Sequence, residues 1–272
     1  MKIRNYIFTV ISIIILYVPL YAAFENKGSG SVFVGTGSSG IASEETAFSV
    51  IINPAKLSFI NKSDIFLYYR NFYLIKGLDQ ISLAANLRFG KIPFGFAIDR
   101  FGNDLYSEYT VSAASAFEII DSLSIGCKIN FYHLQIKNYN SASSYGISLS
   151  AIYKVTKSFR AGFVYENITE STIGSAGEKL PMNLALAFSF NPISQIELNF
   201  DIFKDNRFDF EYRAGLYYNL NKWFKLMAGF RSYVNSYSGG FELKKYGFSF
   251  IYALSWHSVL GVSNTLSVGY EF

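Results

Sequence analysis

Residues 263–272 read SNTLSVGYEF, and this stretch decides the fold. Successive side chains of an extended strand point to opposite faces. Leu266, Val268, Tyr270 and Phe272 therefore share one face, while Thr265, Ser267, Gly269 and Glu271 share the other. The apolar face carries no charge, and the stretch ends on an aromatic residue. The same grammar recurs upstream: in residues 80–89, Ile81, Leu83, Ala85, Leu87 and Phe89 oppose Gln80, Ser82, Ala84, Asn86 and Arg88. Lipid-facing and lumen-facing residues alternate in this way along the strands of a transmembrane β-barrel.

Composition points the same way. The 272 residues are 50% hydrophobic and 18% aromatic, but only 16% are charged. Soluble domains carry about 25% charged residues, so part of this surface faces something other than water. No run after the N-terminus approaches the ~20 apolar residues of a spanning helix. A large soluble β-sandwich is the competing all-β architecture. The net charge of +4 is scattered, and no basic run or aromatic platform suits nucleic acid. The single cysteine, Cys127, cannot close an internal disulfide; in phase with Ile125 and Ile129, it reads as a small apolar residue.

The chain opens with an address. Lys2 and Arg4 precede the apolar residues 6–20, and Ala22 and Ala23 follow. This is the layout of a secretory signal peptide over residues 1–23. Residues 24–62 lack the alternation. They pass from GSGSVFVGTGSSG into SEETAFSVIINPAKLSFI, where Ser43 suits the N-cap of a short helix beginning at Glu44 and Glu45. Pro54 disfavours helical geometry at Asn53, so that helix stops there, and Asn53 can cap a second short turn with Pro54 first. Two short helical pieces before a barrel predict a plug.

From residue 64 the period is two. Predicted strands cover 64–71, 80–89, 93–100, 108–118, 123–137, 144–153 and 159–167. After the loop TESTIGSAGEKL they continue over 182–190, 195–203, 208–219 and 223–233. Single-chain bacterial barrels have an even number of strands with short periplasmic turns, so 237–255 is split at Lys244-Lys245 into 237–244 and 246–255. With 263–272 the expectation is an all-β fold: a transmembrane antiparallel β-barrel of about 14 strands over 63–272, with a helical hatch from 24–62 in its lumen.

Chemistry is sparse. His133 and His257 are the only histidines and form no metal-spaced cluster. Trp256-His257-Ser258 does not make a hydrolytic dyad on a strand, because neighbours face opposite sides. Neither an enzyme nor a cofactor or metal is expected. The inward polar set comprises Arg88, Asp99, Glu108, Lys128, Arg160, Glu166, Glu197, Asp201, Glu211 and Arg213. Both signs are present, which suits an ion-paired lumen wall better than a single-sign selectivity ring.

Three stretches resemble the PorV/PorQ family of outer-membrane proteins, which share the FadL-like barrel. They are VGTGSSGIASEETAFSVIINPAKLSF, DLYSEYTVSAASAFEIIDSLSIGCKINF and the ending YAL…LG…NTLSVGYEF. Asn53, Pro54, Ala55 and Leu57 hold the family's N-P-A-x-L positions, with Lys56 in place of the usual glycine. The family's histidine-arginine pair after the threonine is missing. The resemblance implies an N-terminal hatch and residence in the outer membrane of a Gram-negative-type bacterium. It implies one of two roles: movement of hydrophobic small molecules across that membrane, or service to type IX secretion components. A structural barrel without transport is the third reading. Tyr270 and Phe272 resemble the signal read by the outer-membrane assembly machinery, and membrane lipid is the remaining partner expected.

Overall fold

Backbone groups inside a bilayer have no water to bond, so a sheet that spans one must close on itself. The computed structural model, described here over residues 23–43, 48–89, 92–233 and 235–272, closes in this way. Seven strands build the first half: β1 (Asp64–Asn71), β2 (Asp79–Phe89), β3 (Ile92–Gly102), β4 (Tyr106–Ile120), β5 (Leu123–Ile136), β6 (Ala142–Lys154) and β7 (Phe159–Glu166). Two-residue strands β8 (Thr172–Ile173) and β9 (Glu178–Lys179) form a hairpin inside the longest loop. The second half is β10 (Asn183–Ile193), β11 (Ile196–Asp205), β12 (Glu211–Asn219), β13 (Phe224–Arg231), β14 (Ser236–Lys245), β15 (Phe248–His257) and β16 (Gly261–Glu271). Apart from β8 and β9, these are fourteen antiparallel strands in one closed barrel.

The terminal stretch closes it. β16 pairs with β1 from Asp64↔Glu271 to Asn71↔Asn264, and Phe272 N donates to Ser63 O at 2.9 Å. The expected split is present: β14 and β15 meet at a turn in which Tyr246 and Gly247 have φ of 53° and 84°. Positive φ at both central residues matches the right-handed twist of the strands it joins. Leu83, Ile125, Ile129, Leu149, Leu186 and Leu198 are all exposed on the outer face, between 41% and 53% accessible. Leu87 shares that face and is half-buried. Cys127, in phase with them, is also exposed.

The inner face is filled by the N-terminal segment. Helix α1 (Ser31–Gly35), helix α2 (Ser49–Ile52) and a 3-10 turn (Pro54–Phe59) lie against the inner rows of the wall. α2 stops at Asn53, whose side chain accepts a hydrogen bond from Ala55 N at 3.0 Å with Pro54 first in the turn. This is the local geometry the sequence dictates. α1 falls within the glycine-rich stretch, where no helix is expected from propensity. The helix expected from Ser43–Glu44 begins, among the described residues, at Ser49, after Phe48 in the left-handed conformation with φ of 58°, while residues 44–47 and residues 1–22 of the expected signal peptide lie outside the described residues.

Candidate functional site: the plugged lumen

The plug sits where the wall has no side chains. Gly95, Gly126, Gly162, Gly215 and Gly229 belong to inward rows of five different strands. A Cβ at Gly229 would lie 2.1 Å from Gly37 N, and one at Gly126 would lie 2.3 Å from Ala55 N. At Gly215 it would lie 2.2 Å from Ser39 Oγ, and at Gly95 2.8 Å from Val50 Cβ. None of these distances is compatible with a side chain, so these glycines are the recess that admits the plug backbone. Apolar packing completes the fit. Phe48, Val50 and Leu57 are at most 1% accessible, and Phe48 meets Phe66 and Tyr68 at 6.0 and 5.8 Å between ring centroids.

Polar side chains of the wall then hold the plug's backbone. Asp201 accepts hydrogen bonds from Gly40 N (3.0 Å) and Ile41 N (3.2 Å). Arg213, its cross-strand neighbour, donates to Ser38 O at 3.3 Å and stacks over Phe203 at 3.7 Å. Arg160 Nε donates to Ala42 O at 3.1 Å, and Lys128 Nζ to Ile51 O at 2.8 Å. Glu108 pairs with Lys27 at 2.7 Å, Asp99 accepts from Ser29 Oγ at 3.2 Å, and Glu166 accepts from Asn26 at 3.0 Å. Glu197 and Glu211 act one step back, holding Arg160 at 2.9 Å and Arg213 at 2.6 Å. Arg88 is exposed at the short-turn end, where it donates to Ile60 O.

The four motif residues lie deep in the plug. Asn53 donates to Ile41 O at 2.9 Å, tying the two helical pieces together. The Ala55 amide also reaches Ser150 Oγ at 2.9 Å, while Ser124 Oγ donates to Ala55 O at 3.1 Å. Pro54 and Leu57 are buried. Lys56 is 1% accessible and donates to Ser43 Oγ at 3.1 Å and Gly40 O at 3.3 Å. Sequence reasoning did not single out Arg70, which donates to Lys27 O at 3.0 Å, or Arg231, which bonds Glu211 at 2.8 Å. β1 reads DIFLYYRN, aromatic on both faces, so alternation alone left its facing open. At the other end, Tyr270 packs on Phe248 at 4.6 Å and on Phe272 at 6.2 Å.

Open space remains at both ends of the barrel. At the long-loop mouth a cavity of about 180 Å³ is lined by Phe203, Phe208 and Tyr233 and by a larger set of charged side chains, among them Asp205, Arg207, Glu211 and Arg231. Burial works against the Arg207 guanidinium, yet its pairing with Asp205 at 2.7 Å outweighs this and raises its pKa above the ordinary value. Phe203 also borders a seam of about 30 Å³ between Phe33, Ile41, Ile52 and Val164. A more polar cavity of about 110 Å³ lies between residues 24–29 and Glu108, Lys128, Asn130 and Glu166. At the short-turn end a polar vestibule of about 610 Å³ is lined by Phe59, Lys62, Arg88, Glu118 and Lys154. Trp256 and His257 face opposite sides of the wall, and His257 Nδ1 accepts from Val259 N and Leu260 N.

No protein-family profile and no curated protein matches the sequence. Among solved structures, the chain is similar to the toluene transporter TbuX of Ralstonia pickettii, with 14% identity, a TM-score of 0.69, and 92% of this chain and 100% of that one covered. It is similar to the toluene transporter TodX of Pseudomonas putida, with 12% identity, a TM-score of 0.71 and coverage of 91% and 99%. A FadL homologue of Pseudomonas aeruginosa matches at 11% identity, a TM-score of 0.62 and coverage of 90% and 99%. The chain therefore has the fold of these barrels.

Proposed function

We propose that this chain is an outer-membrane barrel that admits small hydrophobic molecules at its long-loop mouth and passes them when residues 24–62 shift as a hatch. Short turns face the periplasm in such barrels, which puts the mouth cavity outside the cell. One observation carries the reading. The mouth cavity of about 180 Å³ exceeds the roughly 150 Å³ that accommodates benzene in a protein interior, and Phe203, Phe208 and Tyr233 give its largely charged lining one aromatic side. The seam that Phe203 also borders is only about 30 Å³, so a ligand of that size proceeds only if the plug moves. The neighbours named as toluene transporters supply the ligand class to try first. Uptake of radiolabelled toluene should rise several-fold in Gram-negative cells displaying the folded barrel and fall back with Phe203→Asp. Uptake equal to that of the empty host overturns the reading.

The alternative is a PorV/PorQ-type barrel that serves type IX secretion, or a scaffold that transports nothing. Exposed apolar residues at adjacent loop tips favour it: Leu74 and Ile75 between β1 and β2, Leu105 between β3 and β4, and Val259 and Leu260 between β15 and β16. Such an arc suits a protein partner at the cell surface. Co-purification of secretion components, lost when Leu74, Leu105 and Val259 become serine, would select it.

A further inference from the structure

The outer wall carries a polar row that neither the plug nor the lumen uses. Arg100, Tyr109, His133 and Ser143 stand in direct register across β3, β4, β5 and β6. Arg100 Nε donates to Tyr109 OH at 3.2 Å, with the guanidinium 5.8 Å from that ring. His133 stacks on Phe131 at 6.4 Å, and its Nδ1 lies 2.9 Å from Ser143 Oγ. The next row toward the barrel's middle is Ile98, Val111, Phe131 and Tyr145, all apolar or aromatic. The row therefore sits where the apolar belt ends at the long-loop side.

A charge facing lipid is costly without a partner. The cost falls from about 2–4 kcal/mol at the bilayer midplane to about 0–1 at its edge. Three other outward charges lie at or next to strand ends and have partners in the protein. Asp79 accepts from Tyr69 OH, Lys204 donates to Phe208 O, and Lys245 lies 5.3 Å from the Trp223 ring. Arg100 differs. Among the described residues it forms no ion pair, since Asp99 faces the lumen and Asp104, whose field reaches Tyr109, does not pair with it. Its neighbours in the row offer hydroxyl groups and an imidazole. A planar guanidinium flanked by such donors suits phosphate oxygens, which it can bind bidentately.

We infer that this row binds the phosphate group of an anionic lipid headgroup in the leaflet around the long-loop end. Arg100 supplies the charge, His133 Nε2 and the Tyr109 hydroxyl supply further donors, Ser143 holds the imidazole through Nδ1, and the apolar row below meets the acyl chains. The site rests on the barrel spanning the membrane and is independent of any transport through its lumen.

The test is native mass spectrometry of the full chain in detergent, titrated with lipid A, phosphatidylcholine and inorganic phosphate in separate arms. Lipid A should bind in preference to phosphatidylcholine. Arg100→Gln and His133→Gln should each weaken lipid A binding about tenfold, the loss of one charge-assisted hydrogen bond. Lys204→Gln, on another part of the outer wall, should leave it unchanged. Heat-modifiability checks that each variant folds, and either single variant alone is a sufficient test. Equal lipid A binding by wild type and a folded variant overturns the proposal. So does competition by millimolar inorganic phosphate, which would mark a site for free phosphate and not for lipid.

Discussion

Gly229 on the wall and Gly37 on the plug touch backbone to backbone: a Cβ added to Gly229 would lie 2.1 Å from the Gly37 amide nitrogen. Real Cβ atoms do not approach backbone that closely, so the wall and the plug are shaped for each other. Gly229→Val should therefore unseat α1 and its following turn while leaving the strand ladder intact. The expected outcome is a folded, heat-modifiable barrel in which a protease cleaves the segment before β1 faster than in wild type. Unchanged cleavage would show that the recess tolerates a side chain.

Asp201 holds the turn after α1 through two backbone amides, Gly40 N and Ile41 N. Hydrogen bonds to charged groups contribute about 1.5–3 kcal/mol each, and the two are not additive. Asp201→Ala should lower the local opening free energy at Gly40 and Ile41 by about 2–3 kcal/mol, read by amide hydrogen exchange. Asp201→Asn keeps an acceptor and should lose less. Equal exchange in all three proteins would mean that the carboxylate does not fix the plug.

The period-two pattern made nearly all of the wall legible, because one face is apolar along strand after strand and a one-residue slip would put polar groups on it. Strand ends were less legible. β4 runs over Tyr106–Ile120, where alternation alone suggested 108–118, since turn residues join the ladder once their neighbours pair. The inward polar residues could be identified, but their partners could not. Arg213 and Ser38 are 175 positions apart, and nothing local in either stretch names the other. α1 was hidden for a different reason: its flanking glycines read as loop, and the surrounding wall supplies the packing that its own sequence lacks. The inward glycines read as weak strand positions and gained meaning only beside the plug.

Leu83 lies midway along β2 on the outer face and is 41% accessible. Leu83→Arg should destabilise the barrel by about 2–4 kcal/mol in urea titrations from liposomes, as expected for a cation at the bilayer midplane. Leu83→Ala serves as the control for lost side-chain volume and should cost less. A similar cost for both would place this face away from the hydrocarbon.

The last residues of β16 complete the closure, with Tyr270 opposite Ile65 and Phe272 N bonded to Ser63 O. Deleting residues 270–272 leaves backbone groups at the seam unpaired and removes the aromatic end. The folded form recovered in outer-membrane fractions should fall. Assembly at the wild-type level would separate these residues from closure and from recognition by the assembly machinery.

A disulfide can lock the plug in place. A Cβ at Gly35 would lie 3.3 Å from the Ala253 Cβ, a few tenths of an ångström under the usual disulfide separation, so a small shift of α1 brings the pair into range. In a Cys127→Ser background, Gly35→Cys with Ala253→Cys should block toluene uptake when oxidised and restore it on reduction. Uptake that ignores the redox state would route the ligand past a fixed plug.

The most direct measurement is single-channel conductance in planar bilayers, comparing the full barrel with one lacking residues 24–60. The segment occupies the inner recess of the wall, so the full barrel should be nearly silent. The truncated barrel should assemble and give a stable, ohmic pore. Identical conductance from the two barrels would contradict the central claim that the N-terminal segment closes this lumen.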